Sequence, residues 1–129
     1  MNAVSLSKQD LALVDAAKTL IERRKSKRST VAAALRTHEN RIFCGVNIEI
    51  EGSSPCSICA EYAAIGTMVS EGYDRIETIA AVGTRRQVLA PCGKCRQLIS
   101  VFGNPYVIVK ISGKLVKVKL SELYPFPIS

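Results

Sequence analysis

The sequence predicts a three-layer α/β/α domain built on one mixed five-stranded sheet whose last two strands run antiparallel. Three observations carry that expectation. Segments of helical and strand character follow in the order helix, two strands, helix, strand, helix, two strands. Only Ser112-Gly113-Lys114 separates the final two apolar runs, too short a link for a parallel crossover. The chain has 129 residues, 47% hydrophobic and 22% charged, which fits a single domain over residues 1–129 with a core of its own.

Ser7 with Asp10 three residues on reads as a capping box opening the first helix. Leu11, Val14, Ala17 and Ile21 recur at helical spacing, and the helix is expected to run to about Arg24. Val31–Leu35 and Ile42–Ile50 read as two strands joined through the polar stretch Arg36–Asn40. Gly52-Ser53-Ser54-Pro55 is a loop. Cys59–Ser70 is apolar over most of its circumference and predicts a buried central helix stopped by Gly72. Arg75–Val82 is expected to be a strand and Val88–Ala90 a short extended piece. Cys92–Phe102 reads as a third helix, closed by Gly103-Asn104-Pro105, and Tyr106–Ile111 and Leu115–Leu120 as the last strands.

No apolar run approaches the roughly 20 residues of a membrane span, which excludes a helical membrane protein. Met1–Asp10 shows no basic region followed by an apolar block, so a cytoplasmic protein with reduced thiols is expected. Five cysteines are an odd number and fit metal binding better than a closed disulfide framework. The formal net charge of +7 is partly local: five of the six residues Arg23–Arg28 are basic, and Lys110, Lys114, Lys117 and Lys119 punctuate the C-terminal part. Such a run can attract phosphates or nucleic acid. The plainer reading is a solvated helix end and lysines guarding an edge strand.

Two short strings carry the chemistry: Cys59-Ala60-Glu61 and Pro91-Cys92-Gly93-Lys94-Cys95. Cys92 and Cys95 are three apart at a helix start, on one face. Cys59 likewise begins a helix, and helix N-termini favour the thiolate that binds zinc. Three thiolates leave the fourth tetrahedral position free for water. Glu61, two residues from a ligand, reaches that water without binding the metal and can take and return its protons. The competing arrangement is a closed structural site in which Cys56 pairs with Cys59 opposite Cys92 and Cys95. It gives Glu61 no task, and a full helix and strand lie between the two pairs. Cys44 reads as a small buried hydrophobe and His38 as a solvated turn residue.

At these positions the sequence resembles the cytidine deaminase family, in particular its small three-cysteine nucleoside deaminases. The similarity covers about Val31–Val101 and is carried by Val31-Ala-Ala-Ala-Leu35, Gly45-Val-Asn-Ile-Glu49, Ile58-Cys-Ala-Glu61, Ser70-Glu-Gly-Tyr73 and Ala90-Pro-Cys-Gly-Lys-Cys-Arg-Gln97. The resemblance implies the helix-flanked five-stranded fold, one zinc per subunit held by Cys59, Cys92 and Cys95, Glu61 as catalytic residue, and a homotetramer. It places the ribose hydroxyls at Asn47 and Glu49, an amide and a carboxylate that together donate to and accept from a diol. The bland alternative is a strand-end Asn beside an exposed Glu.

Three departures bear on the substrate. Ser29 stands where typical members stack an aromatic ring near the pyrimidine. Tyr62 replaces the arginine that eases the charge of the thiolates, with Arg96 a candidate substitute. The loop Ile50–Ser57 is about one residue longer than in close cytidine deaminases. Blasticidin-S deaminases, a related group, share the missing arginine and a similar loop but normally lack the Asn-x-Glu pair. The expected reaction is zinc-dependent hydrolytic deamination of a cytosine-type nucleoside. The alternatives are another aminopyrimidine or nucleoside antibiotic as substrate, an RNA-binding or editing protein using Arg23–Arg28, and a non-catalytic zinc scaffold. The antiparallel last strand pair resembles the free-nucleoside branch and argues against nucleic acid as partner.

Overall fold

The computed structural model describes residues 1–128. Its elements are α1 (Lys8–Arg24), β1 (Val31–Thr37), β2 (Ile42–Val46), a 3-10 turn (Ser54–Cys56), α2 (Ala60–Ser70), β3 (Ile76–Gly83), β4 (Val88–Leu89), α3 (Gly93–Ser100), β5 (Tyr106–Ile111), β6 (Lys114–Lys119) and α4 (Leu120–Leu123). The sheet runs β2-β1-β3-β5-β6, with β4 on β3 beside that path. Only β3 and β5 pair in parallel. The sheet thus has six strands where five are expected. The sixth is the extended piece Val88–Ala90, which takes the edge of β3 at Ala81 and Val82 beyond the short parallel pairing with β5 at Thr78 and Ile79.

Alternation along β1 divides the core. Ala32 and Ala34 face α1 with Leu13, Val14, Ala17 and Ile21, while Ala33 and Leu35 face α2 with Ala64, Ile65 and Met68. Alanine on a strand covered on both faces lets the helices sit close. Gly45 on β2 serves the same end: a Cβ there would lie 2.6 Å from Ala63 Cβ, so any side chain would push β2 off α2. At the far end of the sheet, Ser112 (φ 50°) and Gly113 (φ 79°) are both left-handed, the backbone of the primed two-residue turn that suits twisted strands.

Several boundaries move for identifiable reasons. The capping box forms in full, with Asp10 N–H donating to Ser7 Oγ and Ser7 N–H to the Asp10 carboxylate. β1 extends through Arg36 and Thr37, both buried, because the Arg36 guanidinium meets Asp10 at 3.0 Å and Glu77 at 3.2 Å. β2 ends at Val46 rather than Ile50, since Asn47 turns in to bond the start of β1. Leu120 leaves the last strand, where the sequence pattern places it, and opens α4. The expectation of a buried central helix over Cys59–Ser70 is corrected: α2 buries Ala60, Glu61, Ala64, Ile65 and Met68 but leaves Gly66, Thr67, Val69 and Ser70 exposed. Of the lysines on the edge strand β6, Lys117 is no solvated guard, for its ammonium turns in to Asp10 at 2.8 Å. No helix among the described residues is long and apolar enough to cross a membrane.

Candidate metal centre

The chain places three thiols where two helices begin. Cys59 is the N-cap of α2 and Cys92 the N-cap of α3, each with extended backbone, and Cys95 lies in the first turn of α3. Their three sulfurs lie within 4.8 Å of one another. Zinc with tetrahedral sulfur ligands needs sulfurs about 3.8 Å apart, a small contraction of what is seen. Cys56 stands outside this cluster and accepts a hydrogen bond from Ser53 Oγ at 3.1 Å instead. The four-cysteine closed site is therefore not formed, and the three thiols are the group that could hold a metal.

The electrostatics favour a cation. Burial pushes the Cys95 thiol well above its ordinary range, and the Glu61 charge adds to it; burial also pushes Cys59 up. On Cys92 burial acts in the same direction but is outweighed by the Cys95 and Lys94 backbone N–H groups and the other two thiols, so its pKa falls. A cation bound here would offset the cost that burial places on these sulfurs as thiolates. The N-terminal dipoles of α2 and α3 favour negative charge at these sulfurs. Arg96 commits two of its nitrogens to backbone: its Nε donates to Pro91 O at 2.7 Å and Nη1 to Leu123 O at 2.9 Å. It fixes the approach to Cys92 by tying that segment to α4. Tyr62 lies under the Lys94 ammonium, 4.7 Å from the ring centroid.

Glu61, the second residue of α2, is only 7% exposed, and burial pushes its carboxyl up, against the lowering pull of its own backbone N–H and the Cys95 thiol. It lines a cavity of about 190 Å³ together with Cys59, Cys92, Cys95, Asn47 and Glu49. All six residues singled out in the sequence meet at this one cavity. Asn47 is buried, and its Oδ1 accepts from Thr30 N at 2.7 Å and Val31 N at 2.9 Å. Its Nδ2 donates to Thr30 Oγ1 at 3.1 Å and to Glu49 Oε1 at 3.3 Å. The carbonyl has no lone pair left over; only the long Nδ2 bond to Glu49 can be redirected to a ligand. Thr30 gave no signal in the sequence, being one polar residue ahead of a strand, yet it holds Asn47 in place. Ser29 donates to Asn47 O at 2.9 Å. Cys44 is partly buried, its thiol pKa raised by burial, and His38 is exposed in the β1–β2 turn.

The family model for the cytidine and deoxycytidylate deaminase zinc-binding region matches residues 7–111. The chain is 36% identical to a blasticidin-S deaminase from Bacillus cereus, over 97% of this chain and 96% of that protein. It is 33% identical to a cytidine deaminase from Sporosarcina psychrophila, over 74% of this chain and 71% of that one. Among solved structures, the cytidine deaminase from Burkholderia pseudomallei superposes with a TM-score of 0.77 at 29% identity, covering 95% of this chain and 100% of its own. With the thiol cluster in place, the fold matched and the model spanning most of its length, the chain belongs to the cytidine and deoxycytidylate deaminase family of zinc-binding hydrolases.

Proposed function

We propose that this protein deaminates a cytosine-type nucleoside by hydrolysis, with Cys59, Cys92 and Cys95 holding zinc, Glu61 moving the protons, and Asn47 and Glu49 at the sugar. The observation that carries the reading is the meeting of three thiols and a buried carboxylate on one cavity. When bound, zinc lowers the pKa of a water in its open position and so makes it a nucleophile at neutral pH. Glu61 accepts one proton of the water and delivers it to N3 as the oxygen adds at C4, then takes the proton of the new C4 hydroxyl and delivers it to the 4-amino group as the C4–N bond breaks. Water is consumed, ammonia leaves, and a uridine-type product remains. Burial suits Glu61 to this work, since a raised carboxyl pKa strengthens the base and brings the acid nearer to neutrality.

Initial rates of ammonia release over cytidine, deoxycytidine, cytosine and blasticidin S test the reading. Cytidine or deoxycytidine is expected to be the better substrate, and silence on all four would end it. Cys92→Ser is expected to lose most of the bound zinc, because two thiolates do not close the site; undiminished zinc by metal analysis would strike Cys92 from the ligands.

The full-length similarity to a blasticidin-S deaminase favours a second reading, a nucleoside antibiotic as substrate. Glu49 separates the two. It is exposed, and among the described residues its carboxylate is hydrogen-bonded only to Asn47, so Glu49→Ala removes a sugar contact without opening the core. A ribose-reading enzyme should lose about tenfold to a hundredfold in kcat/KM for cytidine, the worth of one charge-assisted hydrogen bond. No loss would favour the antibiotic. Asn47→Ala is the poorer probe, as it also frees two backbone N–H groups at the start of β1. The reading extends to a homotetramer in the cytoplasm: five free cysteines accord with reduced surroundings, and Val69 and Val101, 50% and 66% exposed, offer apolar surface for subunit contacts.

A further inference from the structure

Helix α3 carries two of the three clustered thiols, yet it has only eight residues, too few to persist on its own propensity. It buries Cys95 and Ile99 against the core. Gln97 stands two positions from each of them, about 160–200° round the helix and so on its outer side. Residues 124–128, without regular structure, lie against that side. Their apolar side chains do not hold them there, for Phe126 and Ile128 are 88% and 78% exposed. The Gln97 amide does: its Nε2 donates to Ile128 O at 3.0 Å, and Ile128 N–H donates to its Oε1 at 2.9 Å. This is the two-way exchange of an antiparallel strand pair, made by a side chain. Oε1 also accepts from Tyr124 Oη at 2.7 Å. One residue earlier, Arg96 ties Leu123 O to Pro91 O, the carbonyl just before Cys92. Pro125 and Pro127 restrict the backbone around Phe126, which lowers the entropy lost on ordering the segment.

We propose that Gln97 is a positioning residue for the metal centre: it straps residues 124–128 across the outer side of α3 and so fixes the rotation of the helix that sets Cys92 and Cys95 against Cys59. The inference rests on the reading in which these three thiols hold the zinc. Burial of Cys95 and Ile99, with Leu98 partly buried beside them, grips α3 from the sheet side along one line. Turning about that line is resisted from outside, by the strap. A sulfur stands off the helix axis and moves with any such turn, whereas metal–ligand distances tolerate only about 0.2 Å. Groups that orient the ligands of a metal are typically worth about tenfold to a hundredfold in its affinity.

The rate at which a chromophoric chelator strips zinc from the loaded protein reads the strap apart from the chemistry. Gln97→Met keeps the length of the side chain and removes all three bonds. It should speed zinc loss, and weaken Co²⁺ binding, by about tenfold or more. The visible absorption of the bound Co²⁺, which reports how nearly tetrahedral its ligands stand, should lose intensity as well. Tyr124→Phe removes one bond of the three and should give a smaller effect in the same direction. Deleting residues 125–129 should also release zinc faster, yet add nothing to Gln97→Met, in which the strap is already open. Ser7→Ala uncaps α1 on the opposite face of the sheet, and should lower the urea midpoint while leaving zinc release as it is. Zinc release indifferent to Gln97→Met, effects of the deletion and of Gln97→Met that add, or release sped as much by Ser7→Ala would overturn the proposal. An unaltered protein that takes up neither metal would remove the three-thiol reading, and the proposal with it.

Discussion

Glu61→Gln is expected to cut turnover by about 10⁴-fold, the upper end of what one positioned acid–base group contributes, while zinc remains bound. The side chain is buried at the second position of α2 and is not one of the three clustered metal-ligating residues, so the amide fills the same space without disturbing the thiols. What it loses is the ability to carry a proton between water, ring nitrogen and leaving amine. Metal analysis and ammonia release on the same preparation make the test. Full turnover would remove Glu61 from proton transfer, and loss of zinc with loss of turnover would recast it as a support for the metal.

Removing the charge of Asp10 is expected to be the most damaging single change to stability outside the site. Its carboxylate is fully buried between the Arg36 guanidinium of β1 and the Lys117 ammonium of β6, whose side chains are 6% and 12% exposed, and it also takes the Ser7 N–H. Asp10→Asn leaves two cations facing each other in the core, at a cost of about 3–5 kcal/mol in urea unfolding at neutral pH. Adding Lys117→Met should restore part of the loss, because the surviving Arg36 keeps Glu77. The same group sets an acid limit. Burial alone would raise its carboxyl pKa, but hydrogen bonds from Lys117, Ser7 and Arg36 outweigh that and hold it at about 2, below its ordinary 3.8. A depressed folded pKa stabilises the protein above the unfolded value, and the contribution, about 2 kcal/mol, is lost as pH falls from about 4 through about 2. The Asp10→Asn variant should lack that step. A loss at neutral pH below about 1 kcal/mol would show that the buried triad contributes nothing.

What the sequence made legible is what local chemistry decides. The Ser7–Asp10 box, the Ser112–Gly113 turn and the two strings Cys59-Ala60-Glu61 and Pro91-Cys92-Gly93-Lys94-Cys95 each rest on residues within a few positions of one another. The thiol cluster is readable for the same reason, since Cys59 and Cys92 each cap a helix and Cys95 lies one turn on from Cys92. The misjudged places are those where a distant partner rewrites local preference. Arg36 and Thr37 look like a polar connection until Asp10, more than twenty residues away, makes them core. Asn47 looks like a strand residue until Thr30 and Val31 claim its carbonyl. Arg96 carries no local sign that two of its nitrogens tie α3 to the backbone of Pro91 and Leu123. Helix α2 misled by composition: alanines all round suit a buried helix, yet here they let one face lie close on Gly45 while the other faces out.

The placement of the three clustered thiols at the starts of α2 and α3 has a mechanical side as well. Between Cys59 and Cys92 the chain completes α2, crosses β3 and returns through β4, so a metal at the three sulfurs closes a long covalent detour with a short inorganic staple. Such a clip draws its strength from the freedom it denies the unfolded chain. Demetallation should accordingly be felt first where the two helix starts face each other, at the catalytic rim, and last in the sheet strands behind it.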